Sequence, residues 1–342
     1  MNLELIRPIV LGLLLAAGAW DNAAMALPSG SRIPVNGRPT FLVGANYPWL
    51  AYGSDLAGTD IAAIRTDFRS FADSGGRVMR WWLFADGLQD PALSLGEPKP
   101  VSEEFMANMQ AILGAARERG IMIEWSVLDF YYFKRTDGRI VTDPVRRKAF
   151  IERTLTPVLK RFGNHPGVFA WDAMNEPEEA IRKEDGGNGV CETVTTLEIM
   201  RAYINDVADA VHANTKQYAT VGSQCLKFCG MEYDFYSPTR IDYYEAHYYG
   251  WMNQWFDPLK HPYEDLKADR PCVIGEFPAD GGDTGYTTAQ ILEGLYDNGY
   301  AGALGWSWRS DGDGELGDRL AAPMLEFVKA RPAETGWKKG RR

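Results

Sequence analysis

Short apolar runs alternate with longer segments of mixed polarity along most of the chain. The apolar runs have the length of buried strands, and several of the mixed segments repeat apolar residues at helical spacing. In segment 60–76, one helical face carries Ile61, Ile64, Phe68 and Phe71. The pattern predicts eight strands, which lie within residues 41–49, 77–84, 121–130, 167–179, 218–223, 241–251, 271–277 and 301–310.

The order of these elements predicts the fold class. Eight strands that alternate with helices are typical of the α/β class and of its closed parallel (β/α)8 barrel, the TIM barrel. An open doubly wound sheet is the alternative, but no glycine-rich phosphate-binding loop follows the first strand. Helix boundaries agree with the alternation: Ser102 is a predicted N-cap, Gly120 ends that helix, and Asp143 and Pro144 begin another that runs to about Phe162.

The N-terminus has the pattern of an export signal. Residues 9–19 form an apolar stretch that is too short to span a membrane comfortably, and Ala24-Met25-Ala26 offers a small-x-small cleavage site. We therefore predict a signal peptide at 1–26 and one catalytic domain at 27–342. An uncleaved anchor is the alternative. The mature protein is expected to be secreted or periplasmic, outside the membrane and monomeric.

Charge and composition narrow the class of partner. The net charge of −10 argues against nucleic acid as the main partner, since phosphate binding needs a basic surface. Eleven Trp and sixteen Tyr are many for 342 residues, and exposed aromatic rings can carry sugar rings. Trp49, Trp251 and Trp255 fall in predicted loops at the strand ends, where they either stack on sugars or pack into the core.

The four cysteines predict disulfide chemistry more than metal binding. Cys225 and Cys229 are close in sequence, but no histidine or second cysteine pair accompanies them, so a zinc site is not expected. In an oxidising compartment three full pairings are possible. Cys191 follows the fourth predicted strand and the other two follow the fifth, so we expect Cys191 to lie close to Cys225 or Cys229. Cys272 enters the seventh strand and should be a buried thiol.

The acidic segment 310–318 has the composition of a calcium loop but not its spacing. Leu316 stands where such a loop needs a glycine, so we expect a surface turn. No other motif indicates a cofactor or a metal.

Polar and aromatic side chains cluster at the predicted strand ends. In a (β/α)8 barrel the carboxyl ends of the strands build the active site. The residues found there are Arg80, Trp81 and Trp82 on strand two, Asn175 and Glu176 on strand four, His247 and Tyr249 on strand six, Glu276 on strand seven, and Trp306 and Trp308 on strand eight. No serine or cysteine among them has the neighbours of a nucleophile.

Two carboxylates at one barrel mouth suit glycoside hydrolysis. One carboxyl donates a proton to the leaving oxygen, and the other attacks the anomeric carbon or activates water. Arg80 could hold Glu276 ionised, and the resulting negative charge would push Glu176 towards neutrality. A single glutamate at a strand end is more often a structural ion-pair partner, but the pair in this context favours catalysis. If the pair acts with retention, the two carboxyl groups should lie about 5–5.5 Å apart.

The motifs resemble a known group of enzymes. Asn-Glu-Pro after the fourth strand and Gly-Glu-Phe in the seventh resemble clan A, the retaining (β/α)8 glycoside hydrolases with catalytic glutamates on strands four and seven. Within that clan the chain is most similar to glycoside hydrolase family 5, from Gly44 to Arg309. The resemblance implies that Glu176 is the acid/base and Glu276 the nucleophile, and that the partner is an oligo- or polysaccharide.

The resemblance also implies substrate-binding residues and a direction for the substrate. It implies substrate-binding roles for Arg80, Asn175, His247, Tyr249 and Trp306, to which the aromatic positions add Trp82 and Trp49. The Arg80, Trp82 and Phe84 spacing resembles an element of β-mannanases, so we expect β-mannan or β-glucan. The end of strand three departs from the family: Asp129 and Tyr131 stand where many members have a histidine.

Three functions remain open at this level. A retaining β-glycosidase is the main interpretation, and an inactive carbohydrate-binding barrel and a transglycosidase are the alternatives. An inactive barrel would be free to lose Glu176, Glu276 or Arg80, and all three are present. The transglycosidase would use the same residues with a sugar acceptor in place of water.

Overall fold

The computed structural model describes residues 32–52, 54–87, 93, 97–230, 233–309 and 316–338. The predicted signal peptide at 1–26 and residues 310–315 of the acidic segment lie outside these ranges. Within them, no helix is both long enough and apolar enough to cross a lipid bilayer.

Eight parallel strands close into a barrel, which confirms the predicted (β/α)8 fold. Strand β10 pairs with β3 and with β9, so the first and last barrel strands complete the ring. The barrel strands are β3 (Leu42–Asn46), β4 (Val78–Trp82), β5 (Met122–Asp129), β6 (Val168–Asn175), β7 (Tyr218–Ser223), β8 (Tyr244–His247), β9 (Cys272–Pro278) and β10 (Gly302–Trp306).

Helices cover the outside of the barrel and explain why the strands are apolar on both faces. All eight residues of β6 are buried, because one face packs on helices and the other fills the barrel. The helices are α1 (Ile61–Asp73), α2 (Glu103–Arg119), α3 (Tyr131–Thr136), α4 (Arg139–Thr142), α5 (Pro144–Ala149), α6 (Thr156–Phe162), α7 (Leu197–Asn214), α8 (Thr288–Asp297), α9 (Gly317–Ala330) and α10 (Pro332–Thr335).

The predicted helix ends are confirmed where capping chemistry is strongest. The Ser102 side chain accepts a hydrogen bond from the Phe105 amide, and Gly120 ends α2 in the left-handed conformation. The helix predicted from Asp143 to Phe162 is continuous but contains a π-helical stretch, Phe150–Leu155. Pro157 follows this stretch and cannot donate a backbone hydrogen bond, which explains why the regular α-helical ladder is broken there.

An N-terminal hairpin was not predicted. Strands β1 (Ile33–Val35) and β2 (Arg38–Thr40) pair in antiparallel fashion across Asn36 and Gly37, which both have positive φ. Asn-Gly is a strong signal for a two-residue hairpin turn, because both residues readily adopt positive φ. Ile33 packs with residues near the amino ends of the barrel strands, including Leu42 and Val78, so the hairpin covers the end of the barrel opposite the predicted site.

Candidate active site

A cleft lies at the carboxyl ends of the barrel strands, where the sequence placed the site. Its volume is about 410 Å³. It is lined by Trp49, Asp129, Phe130, Tyr131, Asn175, Glu176, Gln224, Tyr249, Trp251, Glu276 and Trp306.

Glu176 occupies an unusual backbone position at the end of β6. Its φ of 45° is in the left-handed region, which costs a residue with a side chain on the order of 1–3 kcal/mol. The strain is held by the neighbouring strand, since the Glu176 amide donates to the Gly222 carbonyl at 2.6 Å. Pro177 begins a short 3-10 helix directly after it, so the chain leaves the strand in one defined direction. This geometry fixes where the Glu176 carboxyl points.

The two predicted catalytic carboxyls face each other across the cleft. An oxygen of Glu176 and an oxygen of Glu276 lie within 4.8 Å of each other, and a ring nitrogen of His247 lies within the same distance of both. This spacing agrees with the separation of about 5–5.5 Å in retaining glycosidases and is too short for the 6.5–9.5 Å of inverting ones. The structure therefore has the spacing expected for direct attack by one carboxylate.

The same three side chains have the spacing of a metal site among the described residues. Their charge is already compensated, because Nη1 of Arg80 donates to Oε1 of Glu276 at 2.9 Å. A cation bound there would have a guanidinium as its neighbour, so the donor set fits acid–base chemistry better than it fits a metal ion.

Glu276 is the carboxyl of the pair with cationic and hydrogen-bond-donating neighbours. Burial and the charge of Glu176 leave its pKa raised, and His247, Arg80 and the hydrogen bond that the Tyr249 hydroxyl donates to Oε2 at 2.8 Å limit that rise. Glu276 receives both the guanidinium and the phenol, and Glu176 receives neither. Two carboxyls this close share a single proton at neutral pH, and these donors keep the negative charge on Glu276.

Glu176 has the environment of a protonated carboxyl. Burial raises its pKa to about 8, with further increases from the charges of Asp129 and Glu179, and Arg80 opposes them. Its side chain is still 19% exposed and faces the cleft, where a substrate oxygen can reach it. At neutral pH it can donate a proton.

The raised pKa of Glu176 predicts an alkaline limit to activity. The acid must be protonated in the free enzyme, so kcat/KM should fall as the pH rises through about 8. The measurement is kcat/KM for a substrate with a poor leaving group across the pH range. The decline should disappear in Glu176→Ala acting on an activated aryl glycoside. A wild-type decline already centred near the ordinary glutamate pKa of about 4.3 would contradict the assignment.

His247 connects the two carboxyls as a neutral imidazole. Its Nδ1 lies 2.8 Å from Oε1 of Glu176, and its Nε2 lies 3.5 Å from Oε1 of Glu276. Burial lowers its pKa to about 4, so only one ring nitrogen carries a proton at neutral pH. The tautomer with that proton on Nε2 faces the ionised Glu276 and leaves Nδ1 to accept from the protonated Glu176.

Arg80 organises the floor of the site from inside the barrel. Besides Glu276, it donates to Asp172 at 2.7 Å, to Oδ1 of Asn175 at 2.9 Å and to Asn46 at 3.2 Å. Gly222 makes this possible, because a Cβ there would lie 2.3 Å from the Arg80 guanidinium. Arg80 therefore fixes the position of Asn175 on β6 relative to Glu276 on β9.

Asp129 has a defined task, although it departs from the family pattern. One of its carboxylate oxygens accepts from Nδ2 of Asn175 at 2.8 Å and from Nε1 of Trp82 at 2.9 Å. Asn175 is thus held on both sides, by Arg80 and by Asp129. One N–H of its amide remains to donate into the cleft that it lines.

The structure places the predicted substrate-binding residues at two depths. Trp49, Asn175, Tyr249 and Trp306 line the cleft as expected. Arg80 and His247 are fully buried, and neither they nor Trp82 are among the residues that line it. Trp82 packs edge-on against Trp49 and Trp306. The three buried residues hold other site residues in place, because they lie one layer below the strand ends.

A buried pair of carboxyls lies below Arg80. Glu124 and Glu245 are close enough to affect each other's ionisation, and Nε of Arg80 lies 2.6 Å from Glu245 and 3.7 Å from Glu124. The Tyr243 hydroxyl donates to Glu124 at 2.5 Å. Burial raises the pKa of both carboxyls and raises that of Glu245 most, with the charge of Glu124 as a further cause. Both shifts favour a proton shared between the two carboxyls.

Glu245→Gln is expected to make stability less sensitive to rising pH. The pKa of Glu245 is higher in the folded protein than the ~4.3 of an unfolded chain. The stabilisation that protonated Glu245 gives the fold is therefore complete below the unfolded pKa. It is lost as the pH rises through the folded pKa. The amide can still donate to Glu124 but cannot ionise. The free energy of unfolding in urea should be compared at about pH 5, 7 and 9.

We expect the free energy of unfolding of Glu245→Gln to rise relative to that of wild type as the pH increases. The difference should grow by at most about 1.4 kcal/mol per pH unit. Glu264→Gln makes the same chemical change at an exposed site and should follow the wild type. Curves for Glu245→Gln and wild type that stay parallel across the range would contradict a shared proton.

Several site residues were missed in the sequence. Asn46, Asp172 and Glu245 contact Arg80 from inside barrel strands, and the signal was a polar residue within an otherwise apolar stretch. Glu178 was also missed. It accepts from the Ser223 hydroxyl at 2.6 Å and from the Gln224 amide at 3.1 Å, which ties the loop after β6 to the end of β7.

The expected disulfide is not formed. Cys191, Cys225, Cys229 and Cys272 are all free and buried. The Cys191 thiol points at the Phe130 carbonyl, 3.7 Å away, and so faces the loop after β5 instead of the loop after β7. Burial raises the pKa of Cys191 to about 11 and that of Cys225 to about 12, so both are inert thiols. Cys272 is fully buried, as predicted.

Comparison with known proteins agrees with this geometry. No model of a known protein family matches the sequence. The chain is 26% identical to a mannan endo-1,4-beta-mannosidase from Mytilus edulis, over 82% of this chain and 86% of that one. It is 24% identical to a mannan endo-1,4-beta-mannosidase from Cryptopygus antarcticus, over 91% and 92% of the two chains.

Solved structures with the same fold include two mannanases. The β-1,4-mannanase from the sea hare Aplysia kurodai has a TM-score of 0.78 at 22% identity and covers 89% of this chain and 97% of its own. The β-1,4-D-mannanase from Cryptopygus antarcticus has a TM-score of 0.77 at 22% identity, with 92% and 97% covered.

The barrel and the strand positions of its two facing glutamates resemble those of the retaining (β/α)8 glycoside hydrolases. Within this class, the resemblance of the chain to glycoside hydrolase family 5 is confirmed by its sequence relatives.

Proposed function

We propose that the chain is a secreted retaining β-mannanase that hydrolyses internal β-1,4 bonds of mannan. The observation that carries the proposal is the pair of carboxyls with oxygens within 4.8 Å of each other. The environment of Glu176 keeps it protonated, and Glu276 accepts hydrogen bonds from Arg80 and Tyr249. Opposite protonation states at this spacing are what a double displacement needs.

In the first step, Glu276 attacks the anomeric carbon and Glu176 protonates the leaving oxygen. The attacking oxygen forms a bond to carbon as the bond to the leaving sugar breaks, and the proton of Glu176 goes to that sugar. The negative charge on Glu276 disappears in the ester, and Glu176 becomes ionised. Nδ1 of His247 lies 2.8 Å from Oε1 of Glu176 and keeps that side chain in place.

In the second step, water attacks the anomeric carbon of the glycosyl-enzyme. Glu176, now a carboxylate, removes a proton from the water, and Glu276 leaves as a carboxylate. Arg80 and Tyr249 stabilise the charge that returns to Glu276, because both donate to it directly. Both carboxyls regain their starting protonation states, and the product keeps the anomeric configuration of the substrate.

The names of the relatives and the cleft both support mannan as the substrate. The sequence relatives from Mytilus edulis and Cryptopygus antarcticus are named mannan endo-1,4-beta-mannosidases. Trp49 and Trp306 offer apolar faces in the cleft, with ring centroids 6.2 Å apart, next to the polar groups of Asn175 and Glu176. This mixture suits a neutral sugar chain, whose rings have both apolar faces and hydroxyl edges.

Incubation of the purified protein with soluble mannan, β-glucan and xylan tests the proposal. We expect cleavage of mannan to short oligosaccharides, a rapid early fall in viscosity and retained anomeric configuration in the product. Release of single sugars from chain ends would contradict internal cleavage, and no reaction with any of the polymers would contradict the activity. Export is part of the proposal, and sequencing of the secreted protein should find its N-terminus at residue 27.

A further inference from the structure

The two buried glutamates below the site have no part in the two chemical steps, yet they lie against the residue that holds the nucleophile. Nε of Arg80 is 2.6 Å from Glu245 and 3.7 Å from Glu124, and Nη1 of the same guanidinium is 2.9 Å from Glu276. All four side chains are buried. A single guanidinium therefore connects the nucleophile to the pair of glutamates.

The neighbouring strand leaves space for the pair. Gly275 comes directly before Glu276 on β9, and a Cβ at Gly275 would lie 2.3 Å from Oε1 of Glu245. Glu124, on β5, accepts a hydrogen bond from the Tyr243 hydroxyl at 2.5 Å. Neither glutamate side chain is exposed to solvent. The pair is thus a fixed part of the barrel interior, and a side chain at position 275 would displace Glu245.

Charge balance connects the pair with the ionisation of Glu276. In the described part of the chain, Glu124, Asp172 and Glu245 form their salt bridges with Arg80. With Asp172 ionised and one proton shared between the two glutamates, this group has one positive and two negative charges before Glu276 is counted. Burial is the main cause of the raised pKa of Glu276, and an excess of negative charge nearby acts in the same direction.

We propose that Glu124 and Glu245 act together as a single negative charge beneath Arg80 that makes Glu276 a stronger nucleophile. The inference rests on the proposed function, in which Glu276 attacks the anomeric carbon. A negative charge that opposes the ionisation of a carboxylate makes it more basic, and a more basic carboxylate attacks carbon more readily. When Glu276 becomes an ester its charge is lost, and the pair remains to balance Arg80 inside the barrel. Neither glutamate lines the cleft, so both are positioning residues that act through Arg80.

Other ionisable groups also face Arg80, Glu276 or the pair, and a test of the pair has to leave them unchanged. These groups are Asp129, Asp172, Glu176, Tyr243, His247 and Tyr249. Glutamine at positions 124 and 245 keeps the shape of both side chains and alters the charge of the pair alone. Arg80 retains Asp172 and Glu276 as carboxylate partners after this change.

The double variant Glu124→Gln/Glu245→Gln removes the shared charge, whereas either single change leaves one ionised glutamate and so keeps it. The acid limb of kcat/KM reports the ionisation of Glu276 in the free enzyme. We expect this limb to move down by about one pH unit in the double variant and to stay close to its wild-type position in each single variant. On the plateau, the weaker base should lower kcat/KM of the double variant about threefold relative to the single variants. Glu264→Gln removes one negative charge at an exposed site and should leave the acid limb in place.

Titration of carboxyl carbons gives a reading that needs no turnover. In protein labelled with ¹³C at the glutamate side-chain carboxyl, the signal of Glu276 is identified by its absence from Glu276→Gln. We expect its titration midpoint to lie about one pH unit lower in the double variant than in wild type. The signals of Glu124 and Glu245, assigned from the single variants, should show one proton between the two carboxyls at neutral pH.

An unchanged acid limb, or an equal titration midpoint of Glu276 in the folded double variant and in wild type, would overturn the inference. So would a pair that is doubly ionised or doubly protonated in wild type at neutral pH, and this observation does not require the double variant to fold. If the wild type cleaved no mannan at all, the proposed function would fail, and the titration of Glu276 would still decide whether the pair acts on it.

Discussion

Glu276→Gln is expected to reduce mannan hydrolysis by about 10⁴-fold or more, as the loss of a covalent nucleophile does in other enzymes. The amide keeps the shape of the side chain but has no negative charge with which to attack the anomeric carbon. The first step therefore fails for natural and activated substrates alike. The measurement is the initial rate on mannan and on an aryl β-mannoside with a good leaving group.

The fold of this variant should remain intact. Asp172 and the pair of Glu124 and Glu245 still surround Arg80 after the change, so its guanidinium keeps carboxylate partners. Glu264→Gln, at an exposed position outside the cleft, is the matched control and should keep full activity. A Glu276→Gln protein with native circular dichroism and more than a tenth of wild-type activity would rule out Glu276 as the nucleophile.

Glu176→Ala is expected to separate substrates by their leaving groups. Loss of a general acid or base typically lowers the rate 10²–10⁴-fold. The rate on mannan should therefore fall by a factor in that range or by a larger one. Activated aryl glycosides need little protonation, so their first step should survive. The covalent intermediate then accumulates, because no base activates water, and a burst of released phenol should be seen.

Azide provides the decisive control for this variant. As an anionic nucleophile it needs no general base, so it should restore turnover of Glu176→Ala and give a glycosyl azide with retained configuration. Glu192→Ala, at an exposed position in the loop after β6, should show neither burst nor rescue. Azide rescue of Glu276→Ala to an inverted product, without rescue of Glu176→Ala, would show that the two roles are exchanged.

The barrel could be predicted because its signal is repeated eight times along the chain. Each strand is a short apolar run, and each catalytic motif lies at the carboxyl end of one of them. The predicted 218–223 matches β7, whereas the predicted 241–251 shrinks to β8, Tyr244–His247. The aromatic residues around β8 have high strand propensity, but tertiary packing ends the strand where the chain turns to form the cleft wall.

The depth of each side chain could not be predicted. A residue near a strand end can face the cleft or lie one layer below it, and periodicity does not distinguish these positions. Tyr249 and Asn175 reach the cleft, whereas Arg80 and His247 are fully buried. The left-handed backbone of Glu176 was equally hidden, because it depends on the hydrogen bond to the Gly222 carbonyl on the next strand.

The network below the site could have been inferred from charge balance. Glu124, Asp172 and Glu245 each lie inside a predicted buried strand, and a buried carboxylate needs a partner. Arg80 lies inside the second predicted strand and contacts all three in the structure. The prediction of a disulfide was wrong for a different reason. Loops that follow adjacent strands are neighbours, but the direction of the Cys191 side chain depends on the packing of its loop.

Trapping of the glycosyl-enzyme tests the central claim most directly. A 2-deoxy-2-fluoro mannosyl or mannobiosyl donor with a good leaving group should slow both steps and let the covalent intermediate accumulate on the wild-type protein. Mass spectrometry of the digested protein should find one sugar adduct, on the carboxylate of Glu276 and absent from Glu276→Gln. An adduct on Glu176 would contradict the assigned roles, and turnover with no adduct and an inverted product would contradict the retaining mechanism itself.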